Sequence, residues 1–341
     1  MPRDIGQPLP HRVLGRTGID VATLGFGGAP IADLYEILDE ETAIETVVTA
    51  INAGVNLLDM SPLYGHGLSE LRIGAALRHV PDAEVVICTK VGRVTDPFSP
   101  PGDRAVFAGG INHGVSIDYS YDGTMRSLEQ SLLRLGRDRI DIALIHDVDV
   151  WTHEDALEQR YAEAKEGAVK ALTKLRNEGT ISGFGIGINE ADMAARFLDD
   201  CDIDVVLLAG RYSLLEQPAL ETFLPKAEER NVGVILGGVF NSGILATGTI
   251  DGARYNYAPA PPDVLEKVRK LEEVCERFGI PLRQVAIQFV FGHPAVSAVV
   301  LGAARSTEVE AQVDDLHSEI PSDLWAELRQ ANLIPDNAPT P

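Results

Sequence analysis

A chain of 341 residues, 45% hydrophobic and 23% charged, has the makeup of a globular protein that could be one α/β barrel or two smaller domains. A formal net charge of -22 argues against binding nucleic acid or an anionic membrane, and no stretch is long and apolar enough to span a bilayer. Cys88, Cys201 and Cys275 are far apart and lack metal-ligand spacing, which suits a reduced cytoplasmic setting better than a disulfide scaffold.

Residues 1–12 read as a loose leader with no apolar run of signal-peptide length. A first strand is predicted at 21–26, opening into Gly27-Gly28-Ala29-Pro30, and a helix at 42–53 with Gly54 past its end. A second strand at 55–58 runs into Asp59. The helix from Ser69 carries Leu71, Ile73, Ala76 and Leu77, with Glu70 in its first turn to suit the helix dipole. The apolar run 85–89 ends in Lys90. Residues 91–121 are too rich in Gly, Pro and Asp for regular structure, and a loop of that length is expected to overhang a functional face. A helix at 122–135 is closed by Gly136, and the run 140–145 ends in His146.

The alternation continues with strands at 180–188, 204–208, 232–236 and 296–301. Helices are predicted at 161–177, 190–198, 219–230, 262–278 and 307–316, with extra helices at 282–291 and 322–331 and a frayed tail at 335–341. Eight short apolar strands, each followed by a helix and with no linker between them, predict a single (β/α)8 barrel, a TIM barrel, over 13–334. A doubly wound open sheet is the rival. It would want G-x-G-x-x-G straight after a strand, and Gly25 and Gly27 do not complete that pattern.

In a parallel barrel the C-terminal strand ends share one face, so Asp59, Tyr64, Lys90 and His146 are predicted to converge. A tyrosine with an ordinary pKa of about 10 is a poor base at neutral pH. A nearby lysine ammonium is expected to stabilise the phenolate and lower that value, with Asp59 holding the lysine in place. His146 would orient a substrate hydroxyl or carbonyl. The set suits loss of a hydroxyl proton while hydride leaves the same carbon, or the reverse. Taken singly, each residue has a plainer reading: Asp59 as a cap, His146 as a satisfied buried ring, Tyr64 as a structural loop residue. Lys90 is hardest to explain that way, because a lysine ending an apolar strand needs a partner. Alternatively, Lys90 could form a Schiff base in a barrel lyase, or the barrel could be a cofactor-sensing subunit with little turnover. His66, His79 and His153 lack metal-ligand spacing, so no metal is expected.

The segment Asp59-Met60-Ser61-Pro62-Leu63-Tyr64-Gly65 resembles the D-x-x-x-x-Y-G signature of the aldo-keto reductases. Thr89-Lys90, Ile145-His146, Leu14-Gly15-Arg16-Thr17-Gly18 and Gly25-Phe26-Gly27-Gly28 also fit, from about Val13 to Ala331. Four further segments resemble the family's sugar dehydrogenase branch, which includes L-fucose, L-galactose and D-threo-aldose 1-dehydrogenases and pyridoxal 4-dehydrogenase. They are Asp118 to Gly123, Ile145 to Asp149, Gly185 to Glu190 and Phe240 to Gly243.

The resemblance implies Tyr64 as general acid/base, Lys90 and Asp59 as its tuners and His146 as substrate orienter. It also implies an extended NAD or NADP. Gly28 and Asp59 would lie near the nicotinamide and Asn189 near its carboxamide. Gly237, Asn241, Ser242 and Gly243 would wrap the pyrophosphate, a reading shared with simple turn chemistry, and Arg305, Glu308 and Gln312 would lie near the adenosine. The chain departs from the family pattern in three places. Ile188-Asn189-Glu190 replaces the usual Ser-Asn pair. Gly237 or Gly238 stands where an aromatic often stacks. Glu308 stands where a basic residue often meets a 2′-phosphate, which leans the expectation toward NAD, although Arg305 lies close by. Asp147, Asp149 and Trp151 are candidates to line the substrate pocket, with His113 and Tyr119 weaker ones. The implied reaction is oxidation of an aldose at C1 to its lactone, with pyridoxal oxidation or general aldehyde and ketone reduction as alternatives.

Overall fold

The structure is a computed structural model describing residues 7–341, so residues 1–6 of the expected leader lie outside the described residues. Eight parallel strands close into a barrel in chain order. They are β1 (Leu24–Gly27), β2 (Leu57–Asp59), β3 (Val86–Val91), β4 (Ile142–His146), β5 (Gly183–Ile188), β6 (Val205–Ala209), β7 (Gly233–Gly237) and β8 (Val296–Gly302), and β8 returns to pair with β1. This is the predicted (β/α)8 barrel.

Period-two alternation decides which side chains fill it. Leu57, Val86, Cys88, Ile142, Leu144, Val205, Leu207, Ile235 and Val300 form the inner cluster. Leu58, Ile87, Ala143 and Ile145 face outward into the larger core beneath the helices. Continuing the inward series by two residues puts Asp59, Lys90 and His146 at the C-terminal rim. Lys90 belongs to a run that is buried along its whole length, and burial leaves it needing a charged partner.

The first predicted strand divides. Asp20–Ala22 pairs antiparallel with His11–Val13, and this hairpin carries Leu14 and Val21 into the inner cluster at the barrel floor; Leu24–Gly27 then enters the barrel. The 91–121 segment is also more regular than expected. Arg93–Asp96 and Gly114–Ile117 form an antiparallel ribbon, and the loop between them bridges back to Leu34 at Phe107. The periodicity misses this ribbon because its strands are only four residues long and carry just Val94, Val115 and Ile117 as apolar residues.

Helices α1 (Glu40–Asn52), α2 (Leu68–Leu77) and α3 (Tyr121–Leu135) lie close to their predicted spans. Asp39 and Ser120 cap α1 and α3 through Thr42 N and Gly123 N. Glu70 does more than face the helix dipole: it is fully buried, accepting from Thr89 of β3 (2.7 Å) and pairing with Arg134 of α3 (2.6 Å). Leu71 of α2 is exposed, not inward. The 219–230 helix is broken into Ala219–Thr222 and Leu224–Glu229, where Pro225 cannot donate to the preceding turn. The C-terminal tail is not frayed. Ala338 is buried, and Arg329 donates to its carbonyl (3.0 Å) and to Thr340 Oγ1 (2.9 Å). No helix among the described residues is long and apolar enough to cross a membrane.

Candidate active site

The four residues expected to converge do so. Lys90 Nζ bonds the Asp59 carboxylate and the Met60 carbonyl (3.1 Å), and all of Lys90 and Asp59 is buried. Room for Lys90 comes from β5, since a Cβ on Gly187 would lie 2.9 Å from Lys90 Cε. Lys90 Nζ stands 5.8 Å from the centre of the Tyr64 ring, and the His146 ring meets Tyr64 edge-on at 6.0 Å.

The electrostatics differ from the expectation for Tyr64. Its pKa is raised well above 10, first by burial and then by the Asp59 and Asp147 carboxylates. Tyr64 is a protonated phenol, a proton donor. Burial, with Lys90 and Arg93 nearby, pushes the His146 pKa well below 6.5, so the imidazole is neutral. Ser61 Oγ accepts from Leu63 N (3.0 Å) and lies 3.1 Å from His146 Nδ1, while Asp147 Oδ2 lies 3.4 Å from Nε2, so we assign the neutral ring the tautomer in which Ser61 donates to Nδ1. The other ring nitrogen, Nε2, then carries the proton. Burial also raises the pKa of Asp59 and of Asp147, opposed by Lys90 and Arg93 respectively.

These groups sit at the base of a cleft of about 510 Å³. Its walls include Asp147, Asn189, Trp151, Phe107 and Tyr257, so the long third loop does overhang the face as expected. Asp149 does not line the cleft: it is buried and caps the short helix Val150–His153 through Thr152 N (2.9 Å). Tyr119 is buried below the site and donates to the His146 carbonyl (2.6 Å), and the carbonyl of His113 lies 2.8 Å from His66 Nδ1.

Arg93, Ser61, Phe107, Arg211 and Tyr257 are the residues that sequence reasoning missed. Tyr257 sits at the tip of the hairpin Arg254–Tyr255 / Ala258–Pro259 with φ 64, next to Asn256 at φ 48. Asn256 was the one turn signal that could have marked this hairpin.

The residues beside this cleft suit a nicotinamide dinucleotide in kind. Beside the cleft, Asn189, Gly210, Arg211, Gly238, Asn241 and Ser242 line a continuation. Gly238, Asn241, Ser242 and Gly243 all have positive φ (61, 47, 62 and 97°); the Asn241 and Gly243 amides close turns onto Gly238 O (2.8 Å) and Phe240 O (3.0 Å), so the loop's candidate donors to phosphate oxygens are its remaining amides. Gly28 has no room for a side chain, since a Cβ would lie 2.4 Å from Ser69 Oγ. Gly237 ends β7 at the start of this loop. Farther along, Gln312 donates to Gly302 O (2.9 Å), Glu308 accepts from Ala304 N (2.8 Å), and Arg305 forms a two-pronged pair with Glu36 (2.7 and 3.0 Å).

A closed parallel barrel with a Tyr–Lys–Asp–His cluster at its C-terminal rim and a glycine-rich, positive-φ loop beside it has the makeup of a nicotinamide-dependent oxidoreductase without a Rossmann unit. Residues 23–333 match the Aldo/keto reductase family, and the chain belongs to that family of NAD(P)-dependent oxidoreductases. It is 38% identical to a pyridoxal 4-dehydrogenase of Microbacterium luteolum, over 95% of this chain and 97% of that protein. It is 35% identical to a D-threo-aldose 1-dehydrogenase of a Pseudomonas species, covering 93% and 96%. Among solved structures, the holo form of aldo-keto reductase AKR11C1 from Bacillus halodurans superposes with a TM-score of 0.74 at 25% identity, covering 95% of this chain and 96% of that one.

Proposed function

We propose that the protein is an NAD-dependent dehydrogenase that oxidises C1 of an aldose, of the L-fucose, L-galactose or D-threo-aldose kind, to its lactone in the cytoplasm. The observation carrying this reading is a neutral His146 with its Nε2 proton facing a polar cleft beside a protonated Tyr64. In oxidation Tyr64 would first release its phenolic proton to the solvent of the cleft; a sugar hydroxyl oxygen would then accept from His146 Nε2 and give its proton to the Tyr64 phenolate as hydride leaves the same carbon. In the reverse direction Tyr64 returns that proton to a carbonyl oxygen. Bound nicotinamide supplies the hydride acceptor or donor. Lys90 and Asp59 hold the phenol in place, and Asn189, the Gly237 to Gly243 loop and the helix Ser306–His317 would cradle the dinucleotide.

Two similar proteins support the substrate class: one is named for an aldose and one for pyridoxal. Aldoses and pyridoxal share a chemistry, since both close to a cyclic hemiacetal whose oxidation gives a lactone. Pyridoxal is therefore the second reading. For the cofactor, Glu308 and the Arg305–Glu36 pair support NAD, because a 2′-phosphate would meet two carboxylates and an arginine already engaged.

A panel of aldoses and pyridoxal, followed at the reduced-nicotinamide absorbance band, tests the substrate. Tyr64→Phe should lower kcat by at least roughly a hundredfold while cofactor affinity changes little. A near-normal rate in that variant overturns the role of Tyr64.

A further inference from the structure

Asp147 is an unusual residue to find beside a reacting centre. It follows His146 directly and holds φ 53, a conformation that non-glycine residues seldom adopt and that recurs at functional sites. Arg93 Nη2 donates to its Oδ2 (3.2 Å) and Asn189 Nδ2 approaches its Oδ1 (3.5 Å). Beneath it, Tyr119 fixes the His146 and Asp147 carbonyls at 2.6 and 3.2 Å. The carboxylate is thus held to one orientation on the cleft wall, and its oxygens keep lone pairs free.

His146 Nε2 lies 3.4 Å from Asp147 Oδ2. Because Ser61 commits Nδ1, the cleft presents a donor and an acceptor side by side. Two oxygens on neighbouring carbons complement that pair: one accepts from Nε2 at the reacting carbon, and the next donates to Asp147.

We propose that Asp147 is a specificity-determining residue that accepts a hydrogen bond from a hydroxyl on the carbon adjacent to the reacting one, and so selects α-hydroxy carbonyl compounds and the cyclic sugars they form. This rests on the reading of Tyr64 and His146 as the groups at the reacting oxygen, but on no particular sugar. A hydroxyl bound to a carboxylate makes a short, charge-assisted bond, whereas a substrate lacking it leaves the carboxylate desolvated and unanswered. Discrimination between two such substrates is therefore roughly ten- to hundredfold.

The test compares reduction of lactaldehyde and propionaldehyde, which differ only in that hydroxyl, by the cofactor-saturated enzyme. Wild type should favour lactaldehyde in kcat/KM by roughly ten- to hundredfold. Asp147→Ala should bring the ratio near one through a raised KM for lactaldehyde. Asp147→Asn, which tolerates the positive φ and keeps a neutral acceptor, should fall between. Damage to the fold lowers both substrates together and leaves the ratio alone; thermal melting and fluorescence titration of the reduced cofactor confirm that each variant is folded and loaded. Equal efficiency in wild type, or a ratio that survives in folded Asp147→Ala, overturns the assignment of Asp147. If wild type reduces neither aldehyde, the oxidoreductase reading of the cleft falls, and the assignment with it.

Discussion

Tyr64 and His146 carry opposite perturbations from the same burial. A phenol kept protonated and an imidazole kept neutral form a site with a mobile proton on the phenol and a fixed donor on the ring. The neutral histidine has a consequence for stability. In the unfolded chain His146 takes up a proton as pH falls through 6.5, whereas in the native protein it resists until a lower pH. Within that window the unfolded state binds more protons, so acidification destabilises the fold; below the native value both states are protonated and the loss stops. His153 and His293, also lowered by burial, act in the same direction. The raised carboxylates Asp59 and Asp147 act in the opposite one. The melting temperature should therefore fall less steeply from about pH 7.5 to about 5.5 in His146→Asn than in wild type. Parallel curves from differential scanning calorimetry would show that His146 is not the neutral buried ring described here.

At the level of elements, the catalytic rim depends on a buried ion pair behind it. Glu70 of α2 links Thr89, which faces outward from the strand that bears Lys90, to Arg134 of α3. Arg134 also reaches Thr95 of the ribbon that begins the overhanging loop (3.0 Å). One carboxylate thus ties the lysine strand, two helices and the cleft's cover together. Removing one member of such a pair leaves its partner buried and uncompensated, which costs about 3–5 kcal/mol. Because Arg134 keeps some contact with solvent, Glu70→Ala should lie near the lower end of that range in urea unfolding. A loss under about 1 kcal/mol would mean the pair is screened as a surface pair is.

Across the whole molecule, an acidic protein must hold an anionic dinucleotide with local donors, since the net charge of -22 repels it. The donors proposed for that role are the positive-φ loop after β7 and the partly neutralised Arg305. A ligand that binds only the native state stabilises it by about 2.7 kcal/mol at a hundred times its Kd. In thermal melts at equal concentration, NAD should raise the midpoint more than NADP. An equal or larger shift with NADP would reverse the cofactor assignment and point to Arg305 leaving Glu36 for the phosphate.

The barrel was legible in the sequence because eight apolar runs of strand length alternate with helical spacing, which calls for a parallel sheet buried on both faces, and the missing G-x-G-x-x-G weighs against the doubly wound form of such a sheet. Asp59, Lys90 and His146 were legible for a related reason: each ends an inward-facing series, and an ionisable group there is costly unless others meet it. Tertiary structure alone decided the rest. The sign of the Tyr64 shift depends first on burial of the phenol and then on Asp59 and Asp147 closing in from two different strand ends. Asp149 and Asp147 are two residues apart and look alike as letters, yet one caps a helix and the other faces the cleft. Ser61, Arg93 and Tyr257 act through partners 85, 54 and 15 residues distant. Local periodicity records which face of an element is buried; it holds no information on which distant group completes a hydrogen bond or a charge pair.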